Sequence, residues 1–158
     1  MHWLDNLPPL TPEAREAMEN FRPGPVFDLL GMCVDRVEAG HSWLSLPFKV
    51  ELTHGGGIVQ GGIITALADA AIAFAVRSVI DGSQQDQTSI DLKMNFIRPV
   101  AKGAMRAEGW LIHQGRRTVV GEAMVFNEQG KPVAKCLSSV MLLDAGYMPS
   151  HPHEQSGK

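Results

Sequence analysis

The sequence predicts an α+β fold: one long antiparallel β-sheet curled around a single apolar helix. Three observations predict it. At 158 residues the chain has the size of one compact domain. It holds one apolar run at helical spacing, in which Ile63, Leu67, Ala70 and Phe74 form a stripe while Ala66, Ala68, Ala71, Ala73 and Ala75 keep the helix slim. Six segments of alternating apolar and polar residues lie around that run, joined by short turns, and strands joined by short turns pair antiparallel. A helix that is apolar nearly all round must be enclosed, and the strands are what the chain offers to enclose it.

Thr11-Pro12-Glu13 opens a short helix, with Thr as N-cap, Pro at the first helical position and Glu suited to the helix dipole. Pro23-Gly24-Pro25 closes it, so residues 1–26 read as an N-terminal helical extension. From Gly31 to Val50 the pattern changes to period two, with Leu44, Leu46, Phe48 and Val50 alternating and Ala39-Gly40 breaking the run into a hairpin. The glycine-dense loop Thr53 to Gly62 leads into the apolar helix. After the polar loop Asp81 to Asp86, Ile90, Leu92, Met94 and Phe96 alternate with Ser89, Asp91, Lys93 and Asn95, which places Ser89 on the polar face. Arg98-Pro99 ends that strand. Three more follow, Gly103 to Gln114, Arg117 to Asn127 and Pro132 to Leu143, turned by Gly115-Arg116 and by Glu128-Gln129-Gly130-Lys131. The main domain covers 27–144 and a polar tail covers 145–158.

Composition narrows the functions. Charged residues make up 20% of the chain, below the ~25% usual for soluble proteins, which points to surface covered by a second copy. A net charge of -3 with scattered Lys and Arg gives no field for gripping a phosphate backbone, which argues against nucleic acid. The first 20 residues lack a basic region followed by an apolar core, so no secretory signal is expected and the protein reads as cytoplasmic. The run Gly57 to Val76 is rich in Gly and Ala and carries Asp69 near its centre, which argues against a membrane span. Cys33 and Cys136 sit far apart without CxxC spacing and read as buried free thiols, with no metal or redox cofactor. Trp43 and Trp110 read as core or pocket wall. His54-Gly55-Gly56-Gly57 spells the oxyanion loop of lipases, but the chain has no G-x-S-x-G elbow and no G-x-x-x-x-G-K-[ST] loop. His151-Pro152-His153 belongs to the solubilising tail.

The informative region is His54 to Asp69. Asp69 is the sole charge between Glu51 and Arg77, and a carboxylate on an apolar helix carries a desolvation cost that hydrogen bonds or a water-filled pocket must offset. Its periodicity alone fits a structural cap or ion pair as well as chemistry. The neighbouring glycines decide for chemistry: at a helix N-terminus they leave N–H groups free for an anion or a developing oxyanion.

The segment Gly57-x-x-Gln60-Gly61-Gly62-x-x-x-x-Leu67-x-Asp69 resembles the G-x-x-H-G-G-x-x-x-x-L-x-D signature of hotdog-fold acyl-CoA thioesterases of the phenylacetic-acid-degradation (PaaI-like) type. The resemblance runs from about Phe27 to Leu143, through Leu30-Gly31-Met32, Ser89-Ile90-Asp91-Leu92, Phe96-x-Arg98-Pro99, Gly103, Gly115-Arg116-Arg117 and Gly130-Lys131-x-Val133-Ala134. It implies a metal-free hydrolase of small, medium or aromatic acyl-CoA thioesters, with coenzyme A as part of the substrate. Asp69 would act as nucleophile or general base, the Gly61 N–H would polarise the thioester oxygen, and Ser89, coming from the other subunit, would position the water. The site would span a homodimer, which could pair again into a tetramer. Arg98, Lys102, Arg116 and Arg117, with Gly62, would meet the coenzyme A phosphates, where a bidentate Arg is well suited. Two positions depart from the signature. Gln60 replaces the motif His and keeps a hydrogen-bond donor but no basicity, and His54 replaces the Asn or Gln six residues earlier. A non-catalytic acyl-CoA binding protein is the first alternative on this fold. A hydratase or dehydratase ranks third, because the chain has neither a D-x-N-P-x-H nor an H-F-P run.

Overall fold

The computed structural model describes residues 23–147 together with Pro12. The helix expected from Thr11 and the tail with His151 and His153 lie outside the described residues. A six-residue helix, α1 (Pro25–Leu30), starts on Pro25 and stops where Gly31 turns left-handed at φ 79°, a conformation that glycine adopts at little cost. Pro25, expected only to close the preceding helix, begins this one, since proline suits a helix's first turn.

Six strands follow: β1 (Cys33–Glu38), β2 (His41–Leu46), β3 (Gln85–Phe96), β4 (Met105–Gln114), β5 (Thr118–Phe126) and β6 (Pro132–Asp144). They form one antiparallel sheet in the order β1-β2-β4-β5-β6-β3, with the long helix α2 (Gly61–Arg77) on its inner face. The predicted architecture is correct. The second strand ends at Leu46, earlier than the alternation to Val50 suggests, because Pro47 lacks a ladder N–H and the chain turns through a 3-10 segment at Val50–Leu52. Among the described residues no helix is long and apolar enough to cross a membrane.

The helix buries only part of the stripe that periodicity suggests. Ile64, Leu67, Ala68, Ala71, Ile72, Phe74, Ala75 and Val76 are buried, so Leu67 and Phe74 of the predicted stripe face the core, whereas Ile63 and Ala70 are half-buried. Apart from Phe74, which packs beside Phe27, the buried set follows i, i+3, i+4, i+7 spacing from Ile64, and the near-uniform apolarity of the run hid which face wins. Close approach of helix to sheet requires small residues opposite it. Ser42 Oγ donates to the Ala71 carbonyl at 2.5 Å, and a Cβ on Gly109 would stand 2.6 Å from the Ala71 carbonyl carbon and oxygen. Backbone cannot yield as a side chain does, so Gly109→Ala is expected to destabilise by about 3 kcal/mol. Chemical denaturation of the two proteins side by side measures this, and an unchanged midpoint would contradict the packing described.

Candidate active site

Asp69 stands half-buried on α2, and the Ser89 hydroxyl donates to its Oδ1 at 2.7 Å. Both belong to one protomer, which corrects two expectations. Strict alternation assigned Ser89 to the polar face. A bulge in β3, however, places Ser89 opposite Val140 and Asp91 opposite Ser139, leaving Ile90 as an extra residue, and the alternation changes phase there. On one side of the bulge Leu92 and Met94 pack on the core; on the other, Gln87 and Ser89 bond to α2. The resemblance also assigned Ser89 to the subunit opposite Asp69, whereas the hydrogen bond joins the two within one chain.

Gly61 and Gly62 open α2, so their N–H groups are the first two of a helix and have no intrahelical acceptor. The Phe96 ring from β3 lies over Gly61, 3.1 Å from where a Cβ would be. Gln60 is the N-cap residue: its carbonyl accepts from Ile63 and Ile64, its N–H donates to the Leu52 carbonyl, and its exposed side chain makes no cap bond. His54 is exposed and serves its own loop. Its Nδ1 accepts from the Gly56 N–H at 2.8 Å, and its backbone bonds to Ile58 and Gly57. That Nδ1 holds the glycine loop.

Cys136 is a neighbour that motif reading did not connect to the site. It is buried on β6, paired with Met94. Burial, and second the Asp69 carboxylate, push its thiol up to about 11 from 9.0. The thiol therefore stays protonated where the unfolded chain would begin to ionise, and its share of stability, present below about pH 9, is lost as pH rises toward 11. Cys33, expected to be buried, is exposed near the start of the sheet's edge strand β1. A thiol reagent at pH 8 is expected to modify Cys33 rapidly and Cys136 only after denaturation; fast modification of both in the folded protein would contradict this burial. Trp43 is buried at 3% exposure, as expected, beside His41 and Arg36. Trp110 is half-buried beneath Lys135.

The four basic residues divide into two groups. Arg98 donates to the Pro132 carbonyl at 2.6 Å and, with Lys102, is exposed at the Gly61 end of the sheet. Arg116 and Arg117 line an open cleft of about 620 Å³ with Gln85, Met141, Asp144 and Tyr147, at the opposite end. Ten residues of β6 separate the two groups, on the order of 30 Å at strand rise, so one ligand lying on one protomer cannot meet both. Among the described residues no group of three or more His, Cys, Asp or Glu could hold a metal ion.

Residues 56–134, which include Gly56 to Gly62, Asp69 and Ser89, match the Thioesterase superfamily. The protein SSO2140 of Saccharolobus solfataricus is 33% identical over 75% of this chain and 83% of its own. The acyl-coenzyme A thioesterase PaaI of Escherichia coli is 28% identical over 66% of this chain and 73% of its own. The conserved protein PA5202 of Pseudomonas aeruginosa has a solved structure that covers 82% of this chain and 99% of its own at 30% identity, with a TM-score of 0.73. A six-stranded antiparallel sheet around one helix, a glycine-opened helix carrying Asp69, and these likenesses together place the chain in the thioesterase superfamily, as a hotdog-fold, PaaI-like member.

Proposed function

We propose that the protein hydrolyses an acyl-coenzyme A thioester to the free acid and the thiol, at a site built by two protomers. The observation that carries this is the 2.7 Å hydrogen bond from Ser89 to Asp69 on the same helix that Gly61 opens. A carboxylate oriented by a hydroxyl can attack the thioester carbon or take a proton from the attacking water. Free N–H groups at a helix N-terminus stabilise the charge that develops on the carbonyl oxygen. Neither step needs a metal or redox cofactor.

Geometry supports sharing of the site. Eight residues separate Gly61 from Asp69, about 12 Å along a helix axis and about 80° around it. Donor and attacking group must each lie about 3 Å from adjacent atoms of one carbonyl, so Asp69 and Ser89 of one protomer work with the Gly61 N–H of another. The exposed Gln60 carboxamide, next to Gly61, is free to donate to the acyl group, while either pair of basic residues is free to meet coenzyme A phosphates. The protein is then at least a homodimer, and dimers are free to pair again.

The test is thiol release from a panel of short, medium and aromatic acyl-CoAs. Turnover well above that of Asp69→Asn supports the reading. Release no faster than with Asp69→Asn across the panel overturns it and leaves a binding protein on the same fold.

A further inference from the structure

An antiparallel sheet with a helix on one face normally carries polar residues on the other. β3 obeys this rule, with Asp91, Lys93 and Asn95 alternating with the core-packed Leu92 and Met94. The central strands do not. Gly109–Ala123–Cys136 and Leu111–Gly121–Ser138 are rungs of the sheet, and Gly109 and Gly121 lie against Ala71 and Ile72 of α2. The rung between them, Trp110–Glu122–Leu137, therefore points away from the helix. Val120 and Met124 flank Glu122 at two-residue spacing and share that outer face. Leu137 is 40% exposed, while Trp110, Val120 and Met124 are half-buried.

The result is a patch of four apolar side chains around one carboxylate, and its charges are already paired. Lys135 donates to Glu122 Oε2 at 2.7 Å and stands 5.2 Å from the centre of the Trp110 ring. A contiguous apolar patch with a neutral centre is the anatomy of a surface that meets another protein. Neutrality selects the partner: copies of a charged patch repel, whereas this one can be laid on itself about a two-fold axis without opposing uncompensated like charges. The area fits as well. Five strands, from β2 across to β3, at ~4.8 Å spacing and about five residues deep at ~3.4 Å, cover about 400 Å². Two such faces in contact bury about 800 Å², and a closed pair of dimers makes the contact twice, which reaches the ~1,600 Å² of a stable interface.

We infer that the outer face of β4, β5 and β6 packs against the same face of another copy, so that two dimers join back to back as a tetramer. The face contact stands on the sheet alone, while the count of four chains rests on the shared site of the proposed function.

Sedimentation analysis of wild type, Leu137→Lys and Val120→Glu tests this, with circular dichroism to verify folding. The two substitutions carry opposite charge, so an effect common to both comes from the lost apolar contact. Wild type is expected at four chains and each variant at two, a twofold fall in mass, with thiol release per chain unchanged. A wild-type mass that both variants keep overturns the inference. A fall from two chains to one upholds the face contact and removes the shared site instead. Mass needs no substrate, so a chain that releases no thiol leaves the test intact and fails the thioesterase reading separately. Should both charged variants unfold, Leu137→Cys decides: protection of the new thiol from a bulky maleimide that modifies exposed Cys33 supports the contact, and equal rates overturn it.

Discussion

Asp69→Asn is expected to lower kcat/KM for the best acyl-CoA by roughly three orders of magnitude while leaving the fold intact. Asn has the shape of Asp and can still accept the Ser89 hydroxyl across the 2.7 Å contact, so packing around half-buried position 69 is preserved. Lost are the negative charge and the basicity, which both a nucleophile and a general base require. Ser89→Ala removes only the orienting hydrogen bond and is expected to cost about tenfold, mainly in kcat. Adding Ser89→Ala to Asp69→Asn is expected to cost little more, because a residue that acts by orienting another has nothing left to orient. Steady-state kinetics on the four proteins, with circular dichroism to verify folding, tests the set. An Asp69→Asn enzyme within tenfold of wild type would remove Asp69 from the chemistry.

The strand order of events and the enclosed helix were legible because they depend on local signals. Ala39-Gly40, Gly115-Arg116 and Gly130 punctuate alternating segments, and short turns dictate antiparallel pairing. The start of α2 was legible to within two residues, since the glycines precede a long apolar run. Legibility failed where one residue shifts a period. Ile90 bulges out of β3, and no residue type around it signals this, so alternation assigned Ser89 to the wrong face. The stripe of α2 was right at Leu67 and Phe74 and wrong at Ile63 and Ala70 for the opposite reason: with apolar residues at most positions, every face carries nearly the same signal, and packing against Ser42, Gly109 and Gly121 decides which one turns inward. Proximity across strands was illegible altogether. Cys136 comes to the Asp69 carboxylate, and Gln87 to Ala73, through the register of β3 on β6 and the crossing of α2, which sequence spacing does not encode.

Gly61→Pro is expected to reduce kcat by about two to three orders of magnitude, the effect of deleting one oxyanion donor, because proline removes the N–H. The helix should survive this change. Gln60 has φ -59° and ψ 133°, the extended conformation that a residue before proline prefers, and at the first helical position proline gives up only an N–H that has no helical acceptor. The added ring must share space with Phe96, whose Cζ lies 3.1 Å from the new Cβ; Phe96 is 55% exposed and can move aside. Such a variant also tests whether the site is shared. Asp69→Asn and Gly61→Pro chains, each inactive alone, are unfolded, mixed in equal amounts and refolded together. In a mixed dimer one site combines both lesions, while the other combines an intact Asp69–Ser89 pair with an intact Gly61 from the partner. Random pairing makes half the dimers mixed, each with one working site, so about a quarter of wild-type activity is expected to return. Activity no greater than that of the two parents would place Asp69 and Gly61 in separate sites or in one protomer's site, against the roughly 12 Å that eight residues of helix put between them.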